Sequence, residues 1–294
     1  MIDRMSMFIF VFFILLVSLF ALLPFWFIYL LSDLFYLLFF YIIRYRRKVM
    51  HDNLLKCFPK KTKDEILILE KKTYKNLIDI LIEGIKGFSM RPAQINKRHK
   101  VLNPEFIKSY PNQAIIACTA HYANWEWGTF SASLQTNLKV FGFYKPLSNK
   151  YIDRFLRWSR ARYGTELVSI GLTTRTFDSN KDKSVAIIMA ADQSPTRPEK
   201  SYWINFMGQD TAFLHGPEKH ARRCGLVVMY AAVRRVKRGY YTIELSLLTN
   251  DIHSLPDGEL TRLYAEKVES EINNNPSDWL WSHRRWKHKR EIGV

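Results

Sequence analysis

The chain is poor in cysteine, with three in 294 residues. Cys57, Cys118 and Cys224 are odd in number and far apart, which argues against a disulfide framework and fits a reducing compartment. None has metal-ligand spacing, and "HYANWE", residues 121–126, is not the HExxH arrangement of a zinc protease. Acidic residues are also in short supply: 27 Asp and Glu stand against 44 Lys and Arg, a formal net charge of +17. Such an excess suits nucleic acid, an anionic membrane, or an acidic or phosphorylated partner. Zinc-finger spacing and RNA-binding aromatic signatures are both missing, so nucleic acid is the weakest of the three. There is no internal repeat and no low-complexity tract.

Long apolar runs are absent after residue 48 and concentrated before it. Residues 8–31, "FIFVFFILLVSLFALLPFWFIYLL", carry no charge, and a second apolar run, 34–43, follows after only Ser32 and Asp33. A bilayer span takes about 20 apolar residues, so the first run is long enough to cross. Pro24 interrupts it, which predicts either a kinked span or a hairpin lying partly in one leaflet. No small-residue cleavage site follows, which argues against a cleaved signal peptide. The cluster "RYRRK", 44–48, marks a cytoplasmic flank and would attract anionic headgroups. The reading is a membrane-anchor segment with a basic flank over 1–48 and a cytoplasmic domain over 49–294.

Within that domain, 63–88 has apolar residues at helical spacing, punctuated by Gly87 and Pro92. Strands are predicted at 114–120, 138–144, 185–190, 226–233 and 241–248, the last pair joined by a short turn at "VKRGY". Helical patterns fall between them, notably 150–163 and the run after Gly216-Pro217, which Gly225 closes as a natural C-cap. This alternation predicts an α/β sheet with helices on its faces.

Residues 119–128, "TAHYANWEWG", place a histidine and a glutamate five positions apart. On one continuous helix they would point apart, since each residue turns by about 100°. A strand ending before His121 and a helix capped by Asn124 would instead bring His121 and Glu126 together. A carboxylate that holds an imidazole fixes its tautomer and stabilises its protonated form, which makes histidine a useful general base.

Taken with "YRRKVMHDNLLKCFP", "YKPLSNKYIDRFLRWSRARYG", "ADQSP", "FMGQDTAFLHGPEKHARRCG" and the closing "PSDWLWSHRRWK", this motif resembles the lipid A late acyltransferases, within the wider H-x4-D/E glycerolipid acyltransferase group. The resemblance covers nearly the whole chain. It implies a glycerolipid-acyltransferase-like domain with a mixed sheet, at the cytoplasmic face of a bacterial inner membrane. It implies transfer of a fatty acyl chain from acyl carrier protein to a hydroxyl of a Kdo-bearing lipid A precursor, a phosphorylated glycolipid, with no metal and no cofactor. Residue by residue, His121 is then the general base and Glu126 its orienting partner. Arg160, Asp192, Lys145 and Asn124 form the substrate-binding set, Arg160 offering a fork for phosphate and Asn124 chiefly capping the helix. Close members often read Tyr-Arg-Pro where this chain has Tyr144-Lys145-Pro146, and lysine keeps the charge without the bidentate geometry. Two other functions fit the same features: a same-fold acyltransferase acting on a lysophospholipid, aminoacyl lipid or polyene pigment, and a non-catalytic membrane protein binding anionic lipid.

Arg222 and Arg223 could bind phosphate or form an exposed helix face. The tryptophan-rich tail from 279 suits a membrane interface, or a helix docked on the body.

Overall fold

The computed structural model describes residues 4–290. Two apolar helices lead, α1 (Arg4–Leu22) and α2 (Phe25–Leu37), the second continued by a π-helical stretch, Leu38–Ile43. By length and composition, Arg4–Leu22 and Phe25–Ile43 are each able to cross a membrane. The break between them falls at Pro24, whose ring cannot continue α1 and whose carbonyl accepts the first amide bonds of α2.

Both helices are fastened to the rest of the chain. Helix α3 (Arg47–Cys57) leads into α4 (Lys63–Gly87), which starts with a capping box between Thr62 and Glu65. Lys86, on the last turn of α4, donates to the carbonyls of Phe20, Ala21 and Leu23, satisfying groups that the end of α1 leaves open. The polar residues that interrupt the apolar amino terminus turn inward: Ser32 donates to Asp79 at 2.6 Å and Tyr29 to Glu83 at 2.9 Å. Asp33 pairs with Arg238 at 2.9 Å. The outward faces stay apolar, with Phe8, Phe12, Leu15, Leu19, Trp26, Leu30 and Leu34 exposed.

The body continues with α5 (Pro92–Arg98), β1 (His99–Val101), β2 (Ala114–Thr119), α6 (Trp125–Thr136), β3 (Lys139–Tyr144), α7 (Lys150–Ala161), β4 (Thr165–Ser169), α8 (Thr173–Asn180) and β5 (Val185–Ala190). A hairpin of β6 (Tyr202–Phe206) and β7 (Gln209–Phe213) follows, then α9 (Gly216–Cys224), β8 (Val227–Lys237), β9 (Tyr240–Thr249) and α10 (Glu259–Asn274). The main sheet has seven strands in the order β1-β9-β8-β2-β5-β3-β4, parallel except for the β8/β9 pair. This is the expected mixed α/β sheet, with strands and helices falling within a few residues of the sequence pattern. Gly225 ends α9 in the left-handed region, at φ 64°. Gly87 lets α4 approach α6: a Cβ there would lie 2.9 Å from Trp127 Nε1.

The carboxy-terminal tail docks on the body, as one of the two readings of it expects, but not as a helix. It forms neither an exposed aromatic belt nor a helix, but a 3-10 turn, Pro276–Asp278, followed by irregular chain packed into the body. Trp279 and Trp281 are buried, stacked edge to face at 4.7 Å. Burying two indoles removes more apolar surface from water than a belt on a half-exposed helix could, which favours this arrangement.

Candidate active site

Strands β2 and β5 are parallel neighbours near the middle of the sheet, with Thr119 opposite Ala190 at their carboxyl ends. The residues two positions beyond each, His121 and Asp192, therefore emerge side by side, at the edge where open α/β sheets place their ligands. After His121 the chain turns sharply: Ala123 sits in the left-handed region at φ 49°, its amide bonded to the Asp278 carbonyl at 2.8 Å. Asn124 then caps α6, its side chain accepting from the Trp127 amide at 2.9 Å.

Asp192 holds His121 at two points. Its Oδ1 accepts from His121 Nδ1 at 2.7 Å and its Oδ2 from the His121 amide at 2.9 Å. Trp279 Nε1 also donates to Oδ2, at 2.9 Å. An ionised carboxylate only accepts, so Nδ1 carries the imidazole proton and Nε2 is left as the basic nitrogen. Burial alone would lower the His121 pKa, but the Asp192 charge, the hydrogen bond to it and the Glu126 charge outweigh burial and raise it above the usual 6.5. For Asp192, burial is likewise the largest influence and raises its pKa. The His121 charge and the hydrogen bonds from His121 and Trp279 overcome it, holding the carboxyl below its usual range.

Several expected roles change as a result. Glu126 does not take the hydrogen bond to His121; its carboxylate accepts from Arg160 Nη2 at 2.5 Å. The first turn of α6 directs Glu126 toward α7, whereas the β2/β5 register has already brought Asp192 to the imidazole. Arg160 thus spends part of its fork on Glu126, while its Nη1 has no hydrogen-bond partner among the described residues. Asp192, expected in the substrate-binding set, is buried behind His121. Asn124 does not reach substrate space either: it is fully buried, capping α6 and donating to Glu83 at 2.7 Å. Lys145 does lie at the site, exposed at the mouth of the cavity beside it. Arg222 and Arg223 are engaged elsewhere, with Glu218 and Asp178.

Sequence reasoning passed over Glu83. It is fully buried on α4 and accepts from Tyr29, Asn124 and Tyr241, and burial pushes its carboxyl up from the usual range. The available signal was a carboxylate set among the apolar positions of a helix, at Ile78 and Ile82.

His121 opens into a cavity of about 390 Å³ between α6 and the sheet. Glu126, Arg160 and Lys145 line it near His121. The remainder is apolar: Gly128, Ala132 and Thr136 form a small-residue stripe along α6, facing Ala117, Ala186 and Ile188 on the sheet, with Val233 and Ile243 on β8 and β9. A carboxylate-held histidine beside an apolar cavity suits a reaction in which a hydrocarbon chain is held while a polar bond at its end reacts.

Residues 2–288 match the bacterial lipid A biosynthesis acyltransferase family. The chain belongs to this family. The acyltransferase is similar to the lipid A biosynthesis lauroyltransferase of Escherichia coli (strain K12), 25% identical over 252 residues, 84% of this chain and 80% of the relative. It is also similar to the lipid A biosynthesis palmitoleoyltransferase of the same strain, 23% identical over 261 residues, 85% of this chain and 81% of the relative. The lipid A biosynthesis acyltransferase of Shigella flexneri matches to the same extent, 23% over 261 residues. The acyltransferase thus combines a largely apolar cavity of about 390 Å³ with a carboxylate-held histidine beside its polar lining.

Proposed function

We propose that this acyltransferase moves a fatty acyl group from the thioester of acyl carrier protein to a hydroxyl of a Kdo-bearing lipid A precursor. His121 Nε2 takes the proton of the acceptor hydroxyl as its oxygen attacks the thioester carbon. The tetrahedral intermediate collapses to the ester, and the leaving thiolate receives the proton from the His121 imidazolium. Asp192 keeps the imidazole in the required tautomer and stabilises its charged form. The observation that carries the reading is the 2.7 Å bond from His121 Nδ1 to Asp192 at the polar end of the apolar cavity.

Arg160 and Lys145 are the cations at the mouth, and the free Nη1 of Arg160 suits a phosphate oxygen of the glycolipid or of the carrier's phosphopantetheine arm. Glu126 sets the orientation of that guanidinium and adds to the field on His121. The segment 1–48 anchors the domain 49–294 at the cytoplasmic face of the inner membrane: the outward faces of α1 and α2 are apolar, and Arg44, Arg46 and Lys48 stand exposed beside them. The excess of positive charge favours an acidic carrier and a phosphorylated acceptor alike.

The test is mass spectrometry of lipid from purified protein given acyl carrier protein thioester and a Kdo-bearing tetraacyl precursor, with His121→Ala alongside. A gain of one acyl group, absent in the variant, is expected. Product formed on a lysophospholipid but not on the precursor would overturn the acceptor and keep the chemistry.

A further inference from the structure

We propose that Trp279, contributed by the carboxy-terminal tail, is a positioning residue for the Asp192–His121 pair. The proposal rests on His121 acting as the base.

A buried aspartate retains one soft torsion, about which its two oxygens can exchange. Here that freedom is removed. Oδ2 accepts from two donors, the His121 amide and Trp279 Nε1, both at 2.9 Å, which leaves Oδ1 for His121 Nδ1 at 2.7 Å. The carboxylate plane is fixed from the side away from the imidazole. An indole suits this place because it donates one hydrogen bond, accepts none and carries no charge. It therefore cannot compete with Asp192 for the imidazole proton.

The tail is built to hold that donor in place. Tyr122 and Trp279 form an antiparallel bridge, the Leu280 amide donates to the His121 carbonyl at 3.1 Å, and the Ala123 amide donates to the Asp278 carbonyl at 2.8 Å. The tail thus pairs with the loop that carries His121 itself. Asp278 is in turn fixed by Asn76 at 2.7 Å and Arg235 at 3.1 Å, and Asn53 holds the carbonyls of Trp281 and His283, both at 2.9 Å. Trp279 does not line the cavity that His121 opens into, so it acts through Asp192 and not on substrate.

The indole N–H draws charge from the carboxylate. Without it, the full Asp192 charge acts on the imidazole, so the protonated form of His121 gains and its titration midpoint rises. The plane of Asp192 is also released, so fewer molecules present Nε2 correctly. Trp279→Phe is expected to lower kcat by about tenfold to a hundredfold with KM unchanged, the scale of one lost hydrogen bond to a charged group. The acid limb of the pH–rate profile moves to higher pH.

Packing loss is separated from loss of the N–H by placing β-(3-benzothienyl)alanine at 279, which keeps the bicyclic shape and lacks the donor. The first readout is the His121 midpoint from nitrogen-15 NMR titration of the full chain in detergent, which needs no acyl transfer. If the wild type transfers no acyl group, the functional reading fails while this measurement still stands. An upward shift in the isostere, abolished in the Asp192→Asn background, is the expected result. An unchanged midpoint in the folded isostere overturns the proposal, as does an equal further loss of kcat when Trp279→Phe is added to Asp192→Asn.

Discussion

His121 and Asp192 are 71 residues apart in sequence and 2.7 Å apart in space, and both lie two residues past a pair in register, Thr119 and Ala190. That register does more than bring two groups together. Adjacent parallel strands end at the same edge, so each supplies one member of the pair with its backbone direction already set. The imidazole is oriented by the ends of two sheet strands, and the buried turn at Ala123 and Asn124 positions Glu126 and the helix.

Asp192→Asn removes the charge that raises the His121 pKa. The imidazole then protonates at lower pH, so the acid limb of the kcat/KM profile moves down, while the plateau falls by about 10²–10⁴-fold through loss of the tautomer and of imidazolium stabilisation. In the wild type, whose His121 pKa is raised, the neutral base is lost on acidification at a pH above the usual imidazole value of 6.5. A pH–rate series on both proteins checks the two signs together.

Glu126→Gln frees Arg160 without touching the bond between His121 and Asp192. KM for the proposed phosphorylated substrate is expected to change and the His121 midpoint to fall slightly, since one negative neighbour is lost. A double-mutant cycle with Arg160→Ala should return a coupling of about 0.5–3 kcal/mol, as for residues in direct contact. A coupling of zero would remove the pair from the mechanism.

Ala132 lies one turn beyond Gly128 on the cavity-lining face of α6, about 6 Å further from His121. Ala132→Phe fills the cavity at that depth, so the product distribution moves to shorter acyl chains, read by mass spectrometry with mixed donors. His121 chemistry on short chains is retained.

Arg238 binds Asp79 at 2.6 Å and Asp33 at 2.9 Å, joining the β8/β9 turn to both α4 and α2. Arg238→Ala leaves the buried Asp79 with less compensation and loosens α2. A loss of about 1–3 kcal/mol is expected, seen as a lower thermal midpoint in detergent.

Much of the frame was legible in the residues. The short continuous apolar strands at 114–120 and 185–190 and the capped helix after Asn124 follow from local composition and capping chemistry, which act over a few residues. The short edge strands β1 and β4 and the helix α10 left weaker patterns: β1 has three residues, and α10 is rich in charge. The hairpin of β6 and β7 lies in a stretch where no strand was read. The inward turn of Ser32 and Asp33 was invisible for another reason. Their partners, Asp79 and Arg238, stand 47 and 205 positions further along the chain.

The sequence by itself determined the apolar amino terminus, the α/β alternation and the place of His121 at a strand end, because each depends on residues close together along the chain. Which carboxylate holds that histidine was decided only in three dimensions. Glu126 is five residues away and turns to Arg160, Asp192 is on another strand and reaches Nδ1, and Trp279 arrives from the tail to fix it. The physical reason is that a hydrogen bond depends on distance and direction at its two ends, and both were set here by strand order and register, which no local pattern encodes.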